Sequence, residues 1–187
     1  MIIYIYRGEY GNKKKELLMK AARMYVEQSP CFADVDFNCL ALEKTRNGKP
    51  YFSGLPFHFS LSHTGGIWGC LISTSNSGLD IQKIKKIDFS KLAGRFFLEE
   101  EKKFVETNGA EGFFEIWVRK EACMKYYGTG IFSGLKSFPV VTDGRLADKV
   151  DFMGNICFVS SFDLDDSVKC AYCSAEVGTG PWIRELK

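Results

Sequence analysis

The chain opens on an unbroken apolar run, Ile2-Ile3-Tyr4-Ile5-Tyr6, that stops at Arg7. A run this short reads as a strand. A bilayer span needs roughly 20 apolar residues, and a secretory leader needs a longer apolar stretch than this one. Between Lys13 and Gln28, Leu17, Leu18, Ala21, Met24 and Tyr25 recur at helical spacing. Asn12 is the expected N-cap of that helix and Ser29-Pro30 its terminator. A strand is expected over Asp36–Glu43, then a turn at Asn47-Gly48 and extended chain through Lys49-Pro50-Tyr51-Phe52. His58–His63 alternates as a strand, Ile67–Thr74 is a second strand, and Gly65-Gly66 between them closes a hairpin.

After a loop at Ser75–Gly78, Gly78-Leu79-Asp80-Ile81-Gln82 alternates as a strand that carries Asp80 and Gln82 on one face. Asp is among the poorest strand formers, so its place here asks for a reason. Asp88–Glu106 reads as a helix in two pieces joined near Phe97-Leu98, and Ala110–Tyr127 as a long helix stopped by Gly128. Loop and strand follow over Gly130–Val141, a turn at Asp143-Gly144, and paired strands over Ile156–Phe162 and Ser167–Glu176. Residues 59–73 and 158–174 share one layout: a strand with serines, a turn, then a strand with small residues and Cys. That echo predicts an α+β fold built from two similar α/β halves.

Composition narrows the function classes. A chain of 187 residues holds one domain or two small ones packed together. The 25 basic and 23 acidic residues leave a net charge of +2, which gives no reason to expect a nucleic-acid or membrane-surface partner. Seven cysteines, at 31, 39, 70, 123, 157, 170 and 173, are odd in number and irregular in spacing, which argues against a disulfide framework. Cys170 and Cys173 form a CxxC, but on a strand that spacing puts the thiols on opposite faces. No second CxxC or histidine pair accompanies it, which argues against zinc. The cysteines read as small buried hydrophobes in a reducing, cytoplasmic compartment.

The candidate chemistry lies in three places. Trp117, Glu121 and Lys125 follow one helical face, with Lys120 adjacent. A solvated Glu–Lys pair is the ordinary reading, yet Phe113, Phe114 and Trp117 show that a flank of this helix is buried. Asp80 facing a second carboxylate, with Glu121 as the candidate, would make an oxygen-rich site suited to Mg2+ and substrate phosphates. Of Glu99, Glu100 and Glu101, most are expected to be solvated, with at most one or two turning inward. His63, beside the glycine turn, and Lys49 are candidate phosphate contacts.

Taken in order, "GKP" (48–50), "FSLSHT" (59–64), "GLDIQ" (78–82), "RFFLEEE" (95–101) and "WVRKEACMKYYGTG" (117–130) resemble the 4′-phosphopantetheinyl transferases, in particular the larger, two-lobed type that activates surfactin synthetase. The resemblance implies two pseudo-symmetric lobes, residues 1–77 and 78–187, acting as a monomer. It implies transfer of the phosphopantetheine arm of coenzyme A to a serine of an acyl or peptidyl carrier protein, with release of adenosine 3′,5′-bisphosphate. Asp80, Gln82 and Glu121 would hold Mg2+. Lys125 would contact the pyrophosphate, with Lys120 flanking it, and Glu101 would accept the proton of the carrier serine. Lys49, Ser62 and His63 would bind the 3′-phosphoadenosine end. Ser60 stands where the family more often has Asn, and Gln82 where many members carry a third acid. The other expectation is a non-catalytic relative that binds coenzyme A or a carrier protein.

Overall fold

The computed structural model describes residues 1–28, 32, 35–37, 41–129, 134–178 and 180–187. The opening apolar run is strand β1 (Ile2–Arg7), followed by a single 3-10 turn (Gly11–Lys13) and helix α1 (Lys14–Glu27). Asn12 lies inside that turn and does not cap α1. The N-cap is Lys13, whose side chain makes no capping bond. Of the strand expected over Asp36–Glu43, residues 41–43 lie in β2 (Ala41–Lys44) and residues 38–40 lie outside the described set, as do Ser29-Pro30 and residues 130–133. β2 pairs with β3 (Pro50–Ser53) across the Asn47-Gly48 turn.

β4 (His58–Thr64) and β5 (Ile67–Ser73) form the expected hairpin, and β6 (Ser77–Lys83) carries Asp80. Helix α2 (Phe89–Phe96) breaks at Phe97-Leu98 before α3 (Glu99–Tyr127). Gly109, at φ 59°, joins two helical stretches of α3 where the sequence suggested separate helices, and Gly128, at φ 67°, closes it. The small hairpin β7 (Val141–Thr142) and β8 (Arg145–Leu146) precedes β9 (Lys149–Phe152), β10 (Asn155–Asp165) and β11 (Val168–Ser174). A last strand, β12 (Trp182–Glu185), was not anticipated. It crosses back to pair in parallel with β1.

Two four-stranded sheets result, in the orders β12-β1-β5-β4 and β6-β11-β10-β9. Alternation sorts their side chains into layers. Tyr4, Trp68, Cys70 and Ile72 of the first sheet meet Leu17, Leu18, Ala21 and Tyr25 of α1. Ile3, Ile5 and Leu71, on the opposite face, meet Leu79, Ile81, Val168 and Cys170 of the second sheet. The far side of the second sheet, with Val159, Ala171 and Cys173, is covered by Phe113, Val118 and Ala122 of α3. Each such large apolar side chain contributes roughly 1.5–3 kcal/mol by leaving water.

The edges β4 and β6 meet without a backbone ladder. Ser60 Oγ accepts from the Leu79 amide at 2.9 Å, Ser62 Oγ from the Ile81 amide at 3.0 Å, and Thr64 Oγ1 from the Lys83 amide at 3.2 Å. Three hydroxyls at alternate positions of β4 thus satisfy three alternate amides of β6, which would otherwise be costly to bury.

Candidate active site

Gly78 allows α3 to lie directly on β6. A Cβ there would stand 2.0 Å from the Ala122 carbonyl oxygen and 2.7 Å from the Tyr126 amide nitrogen. The contact brings the Glu121–Lys125 stretch of α3 against Asp80. Lys125 Nζ donates to Asp80 Oδ1 at 2.7 Å and to the Leu79 carbonyl at 2.8 Å. Ser62 Oγ donates to the same Asp80 oxygen at 2.9 Å, so one hydroxyl both holds the Ile81 amide and orients the carboxylate. The poor strand former is held in its strand by a hydroxyl on one side and an ammonium on the other.

Glu121 is only 4% exposed, yet among the described residues its carboxylate receives neither a hydrogen bond nor an ion pair. Burial first, and the nearby Asp80 second, push its carboxyl up to about 7, against the opposing pull of Lys125. An unpartnered buried carboxylate beside a second carboxylate is the arrangement a divalent cation relieves. Gln82 shares the Asp80 face of β6 and is half-buried, its amide nitrogen directed to the Lys83 carbonyl at 3.3 Å. The donor set of two carboxylates and an amide oxygen, all hard oxygens, fits Mg2+.

Glu121, Met124 and Lys125 line a cavity of about 220 Å³, closed on the other side by Lys49, Phe59 and Ser60. It shares the Lys49 wall with a neighbouring hollow of about 540 Å³ that reaches His58, Asn76 and Tyr126. Lys49 Nζ donates to Asn76 Oδ1 at 2.7 Å, to the Ser77 carbonyl at 3.1 Å and to the Tyr126 carbonyl at 3.4 Å. Asn76 in turn donates to the Tyr126 carbonyl at 2.8 Å. Burial pulls the Lys49 ammonium down to about 8. Its hydrogen-bond partners are all neutral oxygens, so an arriving anion would be its first close counter-charge. Sequence reasoning passed over Asn76, because a Ser-Asn-Ser-Gly loop carries no mark of the lysine it will hold.

Ser62 is buried in the seam, whereas His63 is exposed on the opposite face of β4. Tyr10 Oη and His63 Nδ1 lie 3.4 Å apart with their rings tilted against each other. Burial, then Lys14 and Lys125, hold the imidazole below its ordinary value.

Glu101 and Lys120 are not brought to this cleft. Both side chains are 0% exposed and pair at 2.8 Å. Glu101 Oε2 also accepts from the amide of the N-cap Leu98 at 2.9 Å, satisfying one free donor at the start of α3, and Oε1 accepts from the Val140 amide at 2.9 Å. Lys120 Nζ donates to the Leu135 and Phe138 carbonyls at 2.6 and 2.7 Å. Together the pair ties residues 135–140 to α3, and neither side chain is open to solvent.

Two carboxylates at the corner of β6 and α3, beside a lysine-lined cleft, would suit phosphate chemistry. The family described as the 4′-phosphopantetheinyl transferase superfamily matches residues 77–173, from β6 through most of β11. The chain belongs to that superfamily. It is 34% identical over 154 residues to the 4′-phosphopantetheinyl transferase psf-1 of Bacillus pumilus, covering 79% of this chain and 66% of that protein. It is 30% identical over 135 residues to the 4′-phosphopantetheinyl transferase Sfp of Bacillus subtilis strain 168, covering 68% and 60%. The 4′-phosphopantetheinyl transferase AcpT of Salmonella typhi is 39% identical over 88 residues, covering 43% of this chain and 46% of that one. The chain therefore spans about 60–66% of the length of the Bacillus relatives it matches. No helix among the described residues is long and apolar enough to cross a membrane.

Proposed function

We propose that this chain transfers the 4′-phosphopantetheine moiety of coenzyme A to a serine hydroxyl of an acyl or peptidyl carrier protein in the cytoplasm, with Mg2+, releasing adenosine 3′,5′-bisphosphate. The observation that carries this reading is the buried, unpartnered Glu121 carboxylate beside Asp80, facing a cleft walled by Lys49 and Lys125. Asp80 and Glu121 would hold the ion, with Gln82 as a neutral third oxygen. When bound, it supplies charge neutralisation at the pyrophosphate.

The remaining work falls to the chain's own residues. Lys125, once released from Asp80, reaches the pyrophosphate oxygens. Lys49 and His63 take the phosphates of the adenosine end, and the lysine's depressed ammonium is recharged by the anion it meets. Ser62 positions Asp80 rather than touching substrate, since its hydroxyl is already engaged on both sides. Glu101 and Lys120 are positioning residues in this scheme.

The strand orders β1-β5-β4 and β6-β11-β10 run alike, each with a helix between its first and second strands in the chain. This likeness supports two pseudo-symmetric lobes divided near residue 77, with β12 returning to the first. Both cleft walls come from one chain, which supports a monomer. The test is incubation with coenzyme A, Mg2+ and several diverse apo carrier proteins, read by intact mass. A phosphopantetheine adduct on a carrier is expected. The absence of an adduct on all of them, from folded protein, sinks the reading.

A further inference from the structure

Away from the cleft, the core between α3 and the second sheet gathers three thiols that transferase chemistry has no use for. Cys123 comes from α3, Cys157 from β10 and Cys173 from β11, and each is 0% exposed. Their sulfurs all lie within 4.8 Å of one another, with Cys123 and Cys157 4.0 Å apart. Alternation along β11 decides the membership. Cys170 points into the core shared by the two sheets, whereas Cys173 points at α3. The CxxC is therefore no chelate, as its spacing implied, and the fold replaces Cys170 with two cysteines distant in sequence.

Sulfurs 4.0 to 4.8 Å apart stand about 2.3–2.8 Å from the centre of their triangle, at or a little beyond the zinc–thiolate bond length of about 2.3 Å. A disulfide needs its sulfurs at about 2.05 Å. The Cys123–Cys157 separation of 4.0 Å would have to halve to reach that, whereas a bridging ion asks for only a small contraction of the group. Val159, Ala171 and Ala122 surround the group with apolar surface. Tyr127 Oη is the nearest oxygen donor that the described residues bring to the group, 3.1 Å from Cys157 Sγ. Soft sulfur ligands with few oxygens select Cu+ and Zn2+ over Mg2+.

We propose that Cys123, Cys157 and Cys173 form a three-thiolate site for a single thiophilic d10 cation, Cu+ or Zn2+, that pins α3 to β10 and β11. Binding displaces the thiol protons to solvent, with no change in sulfur oxidation state. The full chain would be refolded anaerobically with Zn2+, Cu+ or Cd2+ in turn, the cadmium serving as a spectroscopic probe. Expected results are about one ion per chain by elemental analysis, a thiolate-to-cadmium charge-transfer band saturating at one equivalent, and zinc-edge absorption showing sulfur neighbours near 2.3 Å. The zinc and copper arms distinguish the two ions. Cys157→Ser and Cys173→Ser should weaken binding at least tenfold, while Cys170→Ser, equally buried but outside the group, should bind as the parent does. Absence of a band in the unmodified chain overturns the site. So does an equal response from the Cys157 and Cys170 variants, or a metal-free Cys123–Cys157 disulfide in the peptide map. None of these readouts depends on transfer activity.

Discussion

Helix α3 carries two lysine–carboxylate pairs of nearly the same length and opposite character. Lys120 and Glu101 pair at 2.8 Å with both side chains sealed at 0% exposure, and every further bond they make is to backbone. Lys125 and Asp80 pair at 2.7 Å with the lysine 28% exposed at the mouth of a cavity, next to a carboxylate that has no partner of its own. The first pair has no valence left to offer a ligand. The second has a neighbour with an unmet need and a lysine able to swing away. Proximity of charges therefore does not mark the chemistry. What marks it is the unsatisfied group beside the pair.

The sharpest way to break this contrast is through stability. Lys120→Ala strands a buried carboxylate and should cost about 3–5 kcal/mol in urea unfolding. Lys125→Ala, at a partly solvated pair, should cost about 1 kcal/mol or less. Equal costs would show that the two pairs are energetically alike. Activity should invert the ranking. Asp80→Asn and Glu121→Gln should each lower carrier modification by roughly 100-fold or more while the chain stays folded, since each removes a ligand of the cation that would neutralise the phosphates. Gly78→Ala tests the contact that assembles the corner. Its methyl group meets the Ala122 carbonyl, so α3 must shift, at about 1–3 kcal/mol.

Glu121 also predicts an inverted pH response. Its folded-state pKa is about 7, against an ordinary 4.5. Between these values the native state binds more protons than the unfolded one, so this group's contribution to stability falls as pH rises through that window. Glu121→Gln should then stabilise the metal-free chain by roughly 1–3 kcal/mol at pH 8 and hardly at all at pH 4. Thermal melts at the two values check this, and Mg2+ should narrow the gap for the unmodified chain. The smallest effect belongs to Ser62→Ala, about 1 kcal/mol for the lost hydroxyl bonds, seen as a modest drop in melting temperature with a weakened Mg2+ response.

Most strands and helices were legible because their periods are plain: the β4–β5 hairpin, Asp80 on β6, and the Glu121–Lys125 face. The misses share one cause, which is that the partner lies far away in the sequence. "FFLEEE" marked Glu101 as unusual, but its burial comes from Lys120 and residues 135–140. Asn12 resembled a cap, yet the chain tightened into a 3-10 turn before α1. Four exposed residues at 182–185 gave no strand pattern, because β12 draws its existence from β1. Asn76 and the Cys123–Cys157–Cys173 group likewise exist only once the sheets are stacked.

The hydroxyl seam between β4 and β6 carries one more consequence. A backbone ladder locks two strands at a fixed spacing of about 4.8 Å, whereas Ser60, Ser62 and Thr64 each place a rotatable side-chain bond between the strands they join. The spacing of these two edges is therefore held by three side-chain bridges acting side by side. Each bridge can adjust by rotation about a side-chain bond, so the spacing at this seam is held less rigidly than a ladder would hold it.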